Sequence, residues 1–290
     1  MTETALSLDA LRDWIGRTET AADVVSATPA RALAATLGLD RRFDVSDPLP
    51  PPWHWQYFLT MGPIDDVGPD GHPKRGGFLP PVPLPRRMWA GSRMEFQRPL
   101  RVGDAITKVS RIADVTVKEG RSGTLVFVKV RHQIAGPGGP SIVDEHDIVY
   151  RDLPRPGDAP AAPRSAPAQS EWRREIRPDP VLLFRYSALT YNSHRIHYDQ
   201  PYVTNVEGYP GLIVHGPLLA TLLLDLLLRK VPNGNVTHFE FRAIRPVFDT
   251  APFAVCGEPA DDGTSTRLWI ADAEGFLCME ATARLAVDRT

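Results

Sequence analysis

The stretch Pro217-Leu-Leu-Ala-Thr-Leu-Leu-Leu-Asp-Leu-Leu-Leu-Arg-Lys230 decides the fold of this 290-residue chain. Its apolar residues cover nearly the whole circumference of a helix, so the helix must be buried on all sides. Gly216 can serve as the N-cap with Pro217 as the first residue, and the two closing cations suit the C-terminal end of the helix dipole. Because strand-like segments follow, the pattern indicates a sheet that curls around one buried helix.

Alternating β-type segments follow this helix and also fill the first half of the chain. Val, Ile, Thr and aromatic residues alternate with polar ones between Gly and Asp turns, which is typical of antiparallel strands. The expected strands are 106–115, 124–134 and 142–151, then 252–257, 267–271 and 276–287. Residues 28–39, with Pro29 at the first helical position, are expected to form a shorter helix. Helix then sheet, twice, favours an α+β fold over alternating βαβ units.

A segment rich in Pro, Ala and Ser divides the chain just past its midpoint. Residues 153–170 contain almost no large apolar side chain, so they cannot bury a core and are predicted to be a linker. The linker separates residues 1–152 from residues 171–290, and each part has the size of an ordinary domain. Arg-Pro pairs at 98–99 and 245–246 precede the strands of each half. The halves are therefore interpreted as copies of one duplicated module.

Composition and charge narrow the classes of function. A formal net charge of −2 gives no general attraction to nucleic acid or to an anionic membrane. The longest apolar stretch, residues 216–228, is too short to span a bilayer, which needs about 20 apolar residues. The first residues lack the pattern of a signal peptide. Cys256 and Cys278 are expected to be packed thiols of a reduced, cytoplasmic protein.

The residues that can carry chemistry crowd into one short region ahead of the long helix: Asn192, His194, His197, Asp199 and His215. A histidine can exchange protons near neutral pH. Backbone N–H groups at the start of a helix can stabilise negative charge that develops on a carbonyl oxygen. A base together with such an oxyanion site is the minimal apparatus for chemistry next to a thioester.

Several simpler interpretations compete with this one. A single histidine in such a segment is most often a structural polar residue. His194 and His197 could share a helical turn and bind zinc, but no C-x-x-C or H-E-x-x-H pattern accompanies them, so no metal is expected. No G-x-S-x-G elbow supports a serine hydrolase. An aromatic cluster is expected to serve packing, although it could line an apolar pocket: Trp53, Trp55, Tyr57 and Phe58.

The segment Thr190-Tyr-Asn-Ser-His-Arg-Ile-His-Tyr-Asp199 resembles a motif of the R-specific enoyl-CoA hydratase (MaoC-like) family, which reads roughly Ser-Gly-Asp-x-Asn-Pro-Ile-His-x-Asp. The resemblance places His197 on the family's catalytic histidine. Gly216 falls where a backbone N–H of the family contacts the thioester oxygen. Asn192 stands in place of the family's catalytic Asp, and His194-Arg195 in place of its Asn-Pro. With these departures, the segment resembles one branch of the family, the hydroxyacyl-thioester dehydratases type 2 and mesaconyl-C4-CoA (3-methylfumaryl-CoA) hydratases.

This resemblance implies a double hot-dog fold, in which two antiparallel sheets each wrap around a central helix. The N-terminal repeat would be degenerate and the C-terminal one catalytic. The implied reaction is reversible addition of water to an enoyl-CoA without a cofactor, with His197 as the base and Asn192 orienting the water. Substrate-binding roles are expected for Gly216, Tyr186, His194, Arg195 and His215. Tyr186, His194 and Asp199 are candidates for a second proton carrier, because an amide cannot titrate.

The expected substrate is a short, branched or dicarboxylic enoyl-CoA such as mesaconyl-C4-CoA. Its free carboxylate would need a cation in the pocket, since an unpaired buried charge is costly. Arg185 and Arg195 flank the motif and could supply it, but surface roles suit both equally well. A hot-dog thioesterase and a non-catalytic acyl-CoA-binding protein remain alternatives. A monomer and a homodimer both fit a duplicated chain.

Overall fold

The computed structural model describes residues 8–120, 123–152 and 162–286. Within these ranges the strands are β1 (Thr18–Val24), β2 (Arg86–Phe96), β3 (Ala105–Gly120), β4 (Gly123–Gly136), β5 (Gly139–Arg151), β6 (Trp172–Ile176), β7 (Val236–Ala243), β8 (Phe253–Pro259), β9 (Ser265–Ala271) and β10 (Leu277–Leu285). The α-helices are α1 (Ala27–Thr36), α2 (Pro180–Leu189), α3 (Gln200–Asn205) and α4 (Gly216–Lys230). All strand pairs are antiparallel.

The strands form one sheet whose order repeats itself in the two halves. The order is β1-β3-β4-β5-β2-β7-β10-β9-β8-β6. Number the five strands of each half in chain order. From the outer edge of the sheet to its centre, both halves then have the same order: first, third, fourth, fifth and second. At the centre, β2 pairs with β7, so the two expected sheets are joined into one. The joint satisfies backbone groups that two separate sheets would leave on exposed edges.

Helix α4 is buried as its sequence predicts. Every residue from Leu218 to Leu227 is buried, and the helix packs on β8, β9 and β10. The one acidic residue in this run, Asp225, is paired with Arg174 at 2.6 Å and with Arg229 at 2.8 Å. The expected N-cap is wrong by one residue. His215 keeps an extended backbone and caps the helix, and Gly216 is its first residue.

The predicted strands and the shorter helix are present with their ends shifted by a few residues, but β1, β2, β6 and β7 have no counterpart in the sequence predictions. The residues of β1 are all exposed or half-buried, because it is an edge strand paired only with β3. Such a strand lacks the apolar alternation that reveals the others. Helix α1 packs against α2, so the helical layers of the two halves share one core.

Half of the predicted linker, residues 153–161, lies outside the described residues. In the remainder, Ser165 forms an isolated bridge with Phe276, and Arg164 pairs with Glu280 of β10. The domain boundaries at residues 152 and 171 stay a prediction. Among the described residues, no helix is long and apolar enough to cross a membrane. Cys256 and Cys278 are buried free thiols, as expected.

Candidate active site

A cavity of about 720 Å³ is lined by residues of both halves of the chain. This volume lies within the usual range of small-molecule sites. Part of the wall comes from residues 54–73 and from side chains of the N-terminal strands: Trp89, Lys108, His132, Asp144 and His146. The other part comes from α2 and the motif after it: Tyr186, Ser187, Asn192, Ser193 and Tyr198, with Pro217 at the start of α4. The aromatic residues Trp55, Tyr57 and Phe58 thus do line a pocket, whereas Trp53 is packed in the core.

His197 is buried beside the start of α4 in a fixed orientation. Its Nδ1–H donates to the carbonyl of Ile213 at 2.7 Å, and its ring stacks on His215 with centroids 3.7 Å apart. Burial lowers the pKa of His197 to about 4, so the ring is neutral at neutral pH. Because Nδ1 carries the hydrogen, Nε2 is the nitrogen free to accept a proton. The motif neighbours Asn192 and Ser193 line the cavity, while the His197 ring itself does not.

His215 links this histidine to α2 and α4. Its Nε2 lies 2.8 Å from the hydroxyl of Ser187, and its ring lies 5.1 Å from that of Tyr186. Burial lowers the pKa of His215 and raises the pKa of Tyr186. Since His215 is the N-cap, the N–H of Gly216 belongs to the first turn of α4, where backbone donors have no partner within the helix. A neutral imidazole and an open helix N-terminus therefore lie side by side.

Asn192 lies in the cavity wall, and the oxygen of its side-chain amide is hydrogen-bonded to the neighbouring backbone. Its Oδ1 accepts a hydrogen bond of 3.0 Å from the backbone N–H of His194. The remaining amide group, the NH₂, is a donor of two hydrogen bonds. Asn192 can thus hold a water or a carbonyl oxygen by donation, but it can neither give up nor take a proton as a carboxyl group would.

Arg195 and Asp199 form a structural pair outside the cavity lining. The guanidinium contacts the carboxylate at 2.9 Å and 2.8 Å and stacks over the ring of Tyr202. Asp199 also caps α3 by accepting the backbone N–H of Tyr202 at 3.1 Å. Arg185 is exposed on α2. Neither arginine is therefore placed where it could meet a ligand in this cavity.

A loop of the N-terminal half packs directly on the motif. The Ser193 hydroxyl donates to the Gly71 carbonyl at 2.5 Å, and the Arg195 N–H donates to the Asp70 carbonyl at 2.9 Å. On this loop His72 donates from Nδ1 to the Asp70 carboxylate at 3.0 Å, and its ring packs, tilted, against that of His194 with centroids 3.8 Å apart. The sequence pattern alone does not identify this pair. Its signal was a Pro-Asp-Gly turn followed by a histidine, which predicts only a turn.

Asp70, His72 and His194 are also the one described group whose donor atoms lie close enough, within 4.8 Å of one another, to hold a metal ion. The hydrogen bond from His72 already accounts for the short distance to Asp70. Burial lowers the pKa of His194 to about 2, and the charges of the nearby His72, His197 and Arg87 add to this shift, so its ring is neutral. The expectation of a metal-free site stays a prediction.

A second polar cluster on the cavity wall belongs wholly to the N-terminal half. The buried carboxylate of Asp144 accepts hydrogen bonds from His54 at 3.2 Å, from His146 at 2.9 Å and from Trp55 at 2.8 Å, and also from the Ser92 hydroxyl. His54 is part of this network. Because its members lie up to 90 positions apart, no local motif could have revealed it.

Comparison with known proteins identifies the family. The model of the family "Hydroxyacyl-thioester dehydratase type 2" matches residues 52–249, which include both walls of the cavity. The chain belongs to this family. The predicted class, an acyl-thioester hydratase or dehydratase, is thereby confirmed.

Two relatives in the family show how far the likeness extends. The mesaconyl-C(4)-CoA hydratase of Chloroflexus aurantiacus is 46% identical over 273 residues, covering 94% of this chain and 96% of that protein. The mitochondrial hydroxyacyl-thioester dehydratase type 2 of Schizosaccharomyces pombe is 26% identical over 239 residues, covering 72% and 77%. The predicted branch of the family is confirmed.

Solved structures agree with the fold. A MaoC-like dehydratase from Phytophthora capsici superposes with a TM-score of 0.64 at 16% identity, covering 97% of this chain and 99% of that one. A Mycobacterium tuberculosis protein described as a double hotdog fold gives a TM-score of 0.57 at 16% identity, covering 96% and 98%. The prediction that this dehydratase family member has a double hot-dog fold is confirmed.

Proposed function

We propose that this dehydratase family member adds water reversibly to the double bond of a short, carboxylated enoyl-CoA, with mesaconyl-C4-CoA as the preferred substrate. The identity of 46% to a mesaconyl-C(4)-CoA hydratase, along nearly the full length of both chains, supports this substrate. The reaction takes place in the cytoplasm and uses no cofactor beyond the CoA of the substrate.

One observation carries the catalytic proposal: the Nδ1–H of His197 is held by the Ile213 carbonyl, which leaves Nε2 as a neutral acceptor beside the first turn of α4. Because the His197 ring lies behind the residues that line the cavity, the reacting water must lie between Nε2 and the substrate. In hydration, Nε2 takes a proton from this water while the water oxygen bonds to the β-carbon. The electron pair of the double bond moves toward the thioester, whose oxygen gains enolate character and accepts the N–H of Gly216. General acid–base groups of this kind contribute about 10²- to 10⁴-fold in rate.

The α-carbon must then receive a proton as the enolate returns to a thioester. Asn192 cannot supply it, and Asp199 is held by Arg195. We assign this proton to the imidazolium form of His72, because His72 lines the cavity and its Nδ1–H is held by the Asp70 carboxylate, which opposes the lowering of the His72 pKa by burial. His194 lies between His72 and His197 and positions both: its ring is tilted against that of His72, with centroids 3.8 Å apart, and meets that of His197 edge-on at 5.4 Å. The proton taken by His197 replaces the one given by His72, so that water is added overall.

The proposal is tested by following enoyl-thioester absorbance and free thiol in the same reactions. Purified protein is mixed with mesaconyl-C4-CoA, with crotonyl-CoA and with a long straight-chain enoyl-CoA. The expected result is rapid loss of enoyl absorbance with mesaconyl-C4-CoA and no release of CoA thiol. Release of thiol would indicate the thioesterase alternative, and a thermal shift with acyl-CoA but no absorbance change would indicate the binding-protein alternative. Equal or better rates on the long straight chain would contradict the assignment of a carboxylated substrate.

A further inference from the structure

We infer that the part of the cavity wall formed by Lys108, His132 and His146 is a subsite for the free carboxylate of the acyl group. This inference rests on the proposed function and names the side chains that distinguish a carboxylated acyl-CoA from a neutral one. None of the three belongs to the motif after α2; they lie on β3, β4 and β5 of the N-terminal half.

Lys108 is the cation of this subsite. Among the residues that line the cavity it is the single Lys or Arg, and it is half-buried. Within the described ranges no carboxylate lies within 4.0 Å of its ammonium group. The ammonium nitrogen lies 5.0 Å from the centroid of the Phe58 ring. Burial lowers the pKa of Lys108, as expected for an ammonium group without a close partner. A partly desolvated cation without a counter-ion is costly unless a ligand supplies the opposite charge.

The acidic groups around Lys108 do not take the place of such a ligand. Asp144 is the buried one, and its oxygens are already occupied by the donors His54, Trp55, Ser92 and His146. Glu19 and Asp23, on the edge strand β1, act on Lys108 only through space, and Asp23 accepts the N–H of Phe58. Because the oxygens of Asp144 are occupied and Glu19 and Asp23 lie on the edge strand, the ammonium group of Lys108 stays available to an incoming anion.

His132 completes the subsite with a neutral donor, whereas His146, whose Nε2–H is given to Asp144, packs against it. The His132 and His146 rings meet edge to face, with centroids 4.4 Å apart. Burial lowers the pKa of His132 well below its usual value, so its ring is neutral. Its Nδ1 lies 2.9 Å from the hydroxyl of Ser110; when Ser110 donates, the other ring nitrogen carries the hydrogen and can donate to a carboxylate. One cation and one neutral donor match the single charge and the lone pairs of a carboxylate.

Lys108 takes the role that the motif suggested for Arg185 or Arg195, the pairing of the substrate carboxylate. Arg195 is bound to Asp199 and Arg185 is exposed, so neither can neutralise a carboxylate in the cavity. A substrate charge in this cavity would therefore be paired by Lys108 or remain unpaired.

The experiment compares two substrates of equal length and branching. Mesaconyl-C4-CoA carries the carboxylate, and 3-methylcrotonyl-CoA has a methyl group in its place; both carry the same CoA phosphates. The variants are Lys108→Met and Lys108→Arg. The matched control is Lys118→Met, because Lys118 is on the same strand and also lies over a phenylalanine ring, that of Phe127 at 5.2 Å, but does not line the cavity.

Lys108→Met should lower kcat/KM on mesaconyl-C4-CoA by about 10- to 100-fold, the usual loss for a hydrogen bond to a charged group. On 3-methylcrotonyl-CoA it should change kcat/KM by less than about threefold, and Lys108→Arg should retain part of the preference. Equal losses on both substrates would overturn the inference and place Lys108 against the CoA portion. So would a wild-type protein that hydrates both substrates equally well, a result that does not depend on how the variants fold. If the wild type hydrates no enoyl-CoA, the proposed function itself fails.

Discussion

Replacing Gly71 with alanine tests whether the loop of the N-terminal half is part of the active site. Gly71 has φ +88°, and a Cβ added there would lie 1.8 Å from the carbonyl oxygen of Ser193. Real Cβ contacts essentially never fall below 3.0 Å, so the loop and the motif would have to separate by at least 1.2 Å. His72 follows Gly71 directly and would be displaced with it. A displacement of about 1 Å in a positioned group can lower activity about 100-fold.

The matched control is Gly76→Ala, because Gly76 has the same φ of +88° but only an ordinary contact, 3.7 Å to the Cβ of Pro81. Both variants lose about 1–2 kcal/mol of stability from the left-handed backbone conformation. Only Gly71→Ala should also lose about 100-fold in kcat/KM for hydration, measured by enoyl absorbance at a temperature where both variants are folded by circular dichroism. If Gly71→Ala is as active as Gly76→Ala, the contact between loop and motif does not position catalytic groups.

Two further predictions concern proton transfer. His72→Gln should lower kcat by about 10²- to 10⁴-fold, with Asp70→Asn intermediate; more than a tenth of the wild-type rate would exclude His72 as the proton carrier. Because burial lowers the pKa of His72, kcat/KM should rise as the pH falls from neutrality and the acid gains its proton. Because the pKa of His197 is about 4, kcat/KM should fall about tenfold per pH unit below pH 4, as the base becomes protonated. The lowered pKa also means that stability falls as pH drops from 6.5 toward 4, since the unfolded histidine binds its proton first. A rate that falls as the pH drops through 6.5 would show that the titrating base is not this buried ring.

The fold was largely predictable because its strongest signals are local. The uninterrupted apolar surface of α4 and the alternation in β3, β4 and β5 are properties of single segments, and each is confirmed. The exposed edge strand β1 was missed because half-buried edges carry no such alternation. The joining of β2 to β7 is a pairing across about 150 positions, which single-segment patterns cannot encode.

The site was only half predictable for the same physical reason. His197, His215 and Gly216 fall close together in the chain, and the start of α4 holds them close in space. His72 and Lys108 come from a loop and a strand of the other half, and only the tertiary structure brings them to this cavity. Arg195 shows the opposite error. It is adjacent to the motif in sequence, yet its guanidinium is committed to Asp199.

The most direct test of the catalytic proposal is the hydration rate of mesaconyl-C4-CoA by the wild type and by His197→Gln, followed as loss of enoyl absorbance. His238→Gln is the control, because His238 is exposed on β7 and belongs neither to the motif nor to the start of α4. The proposal predicts rapid turnover by the wild type and the control, and a loss of about 10²- to 10⁴-fold for His197→Gln with an unchanged unfolding transition. A His197→Gln protein that keeps more than about a tenth of the wild-type kcat would contradict the assignment of His197 as the base.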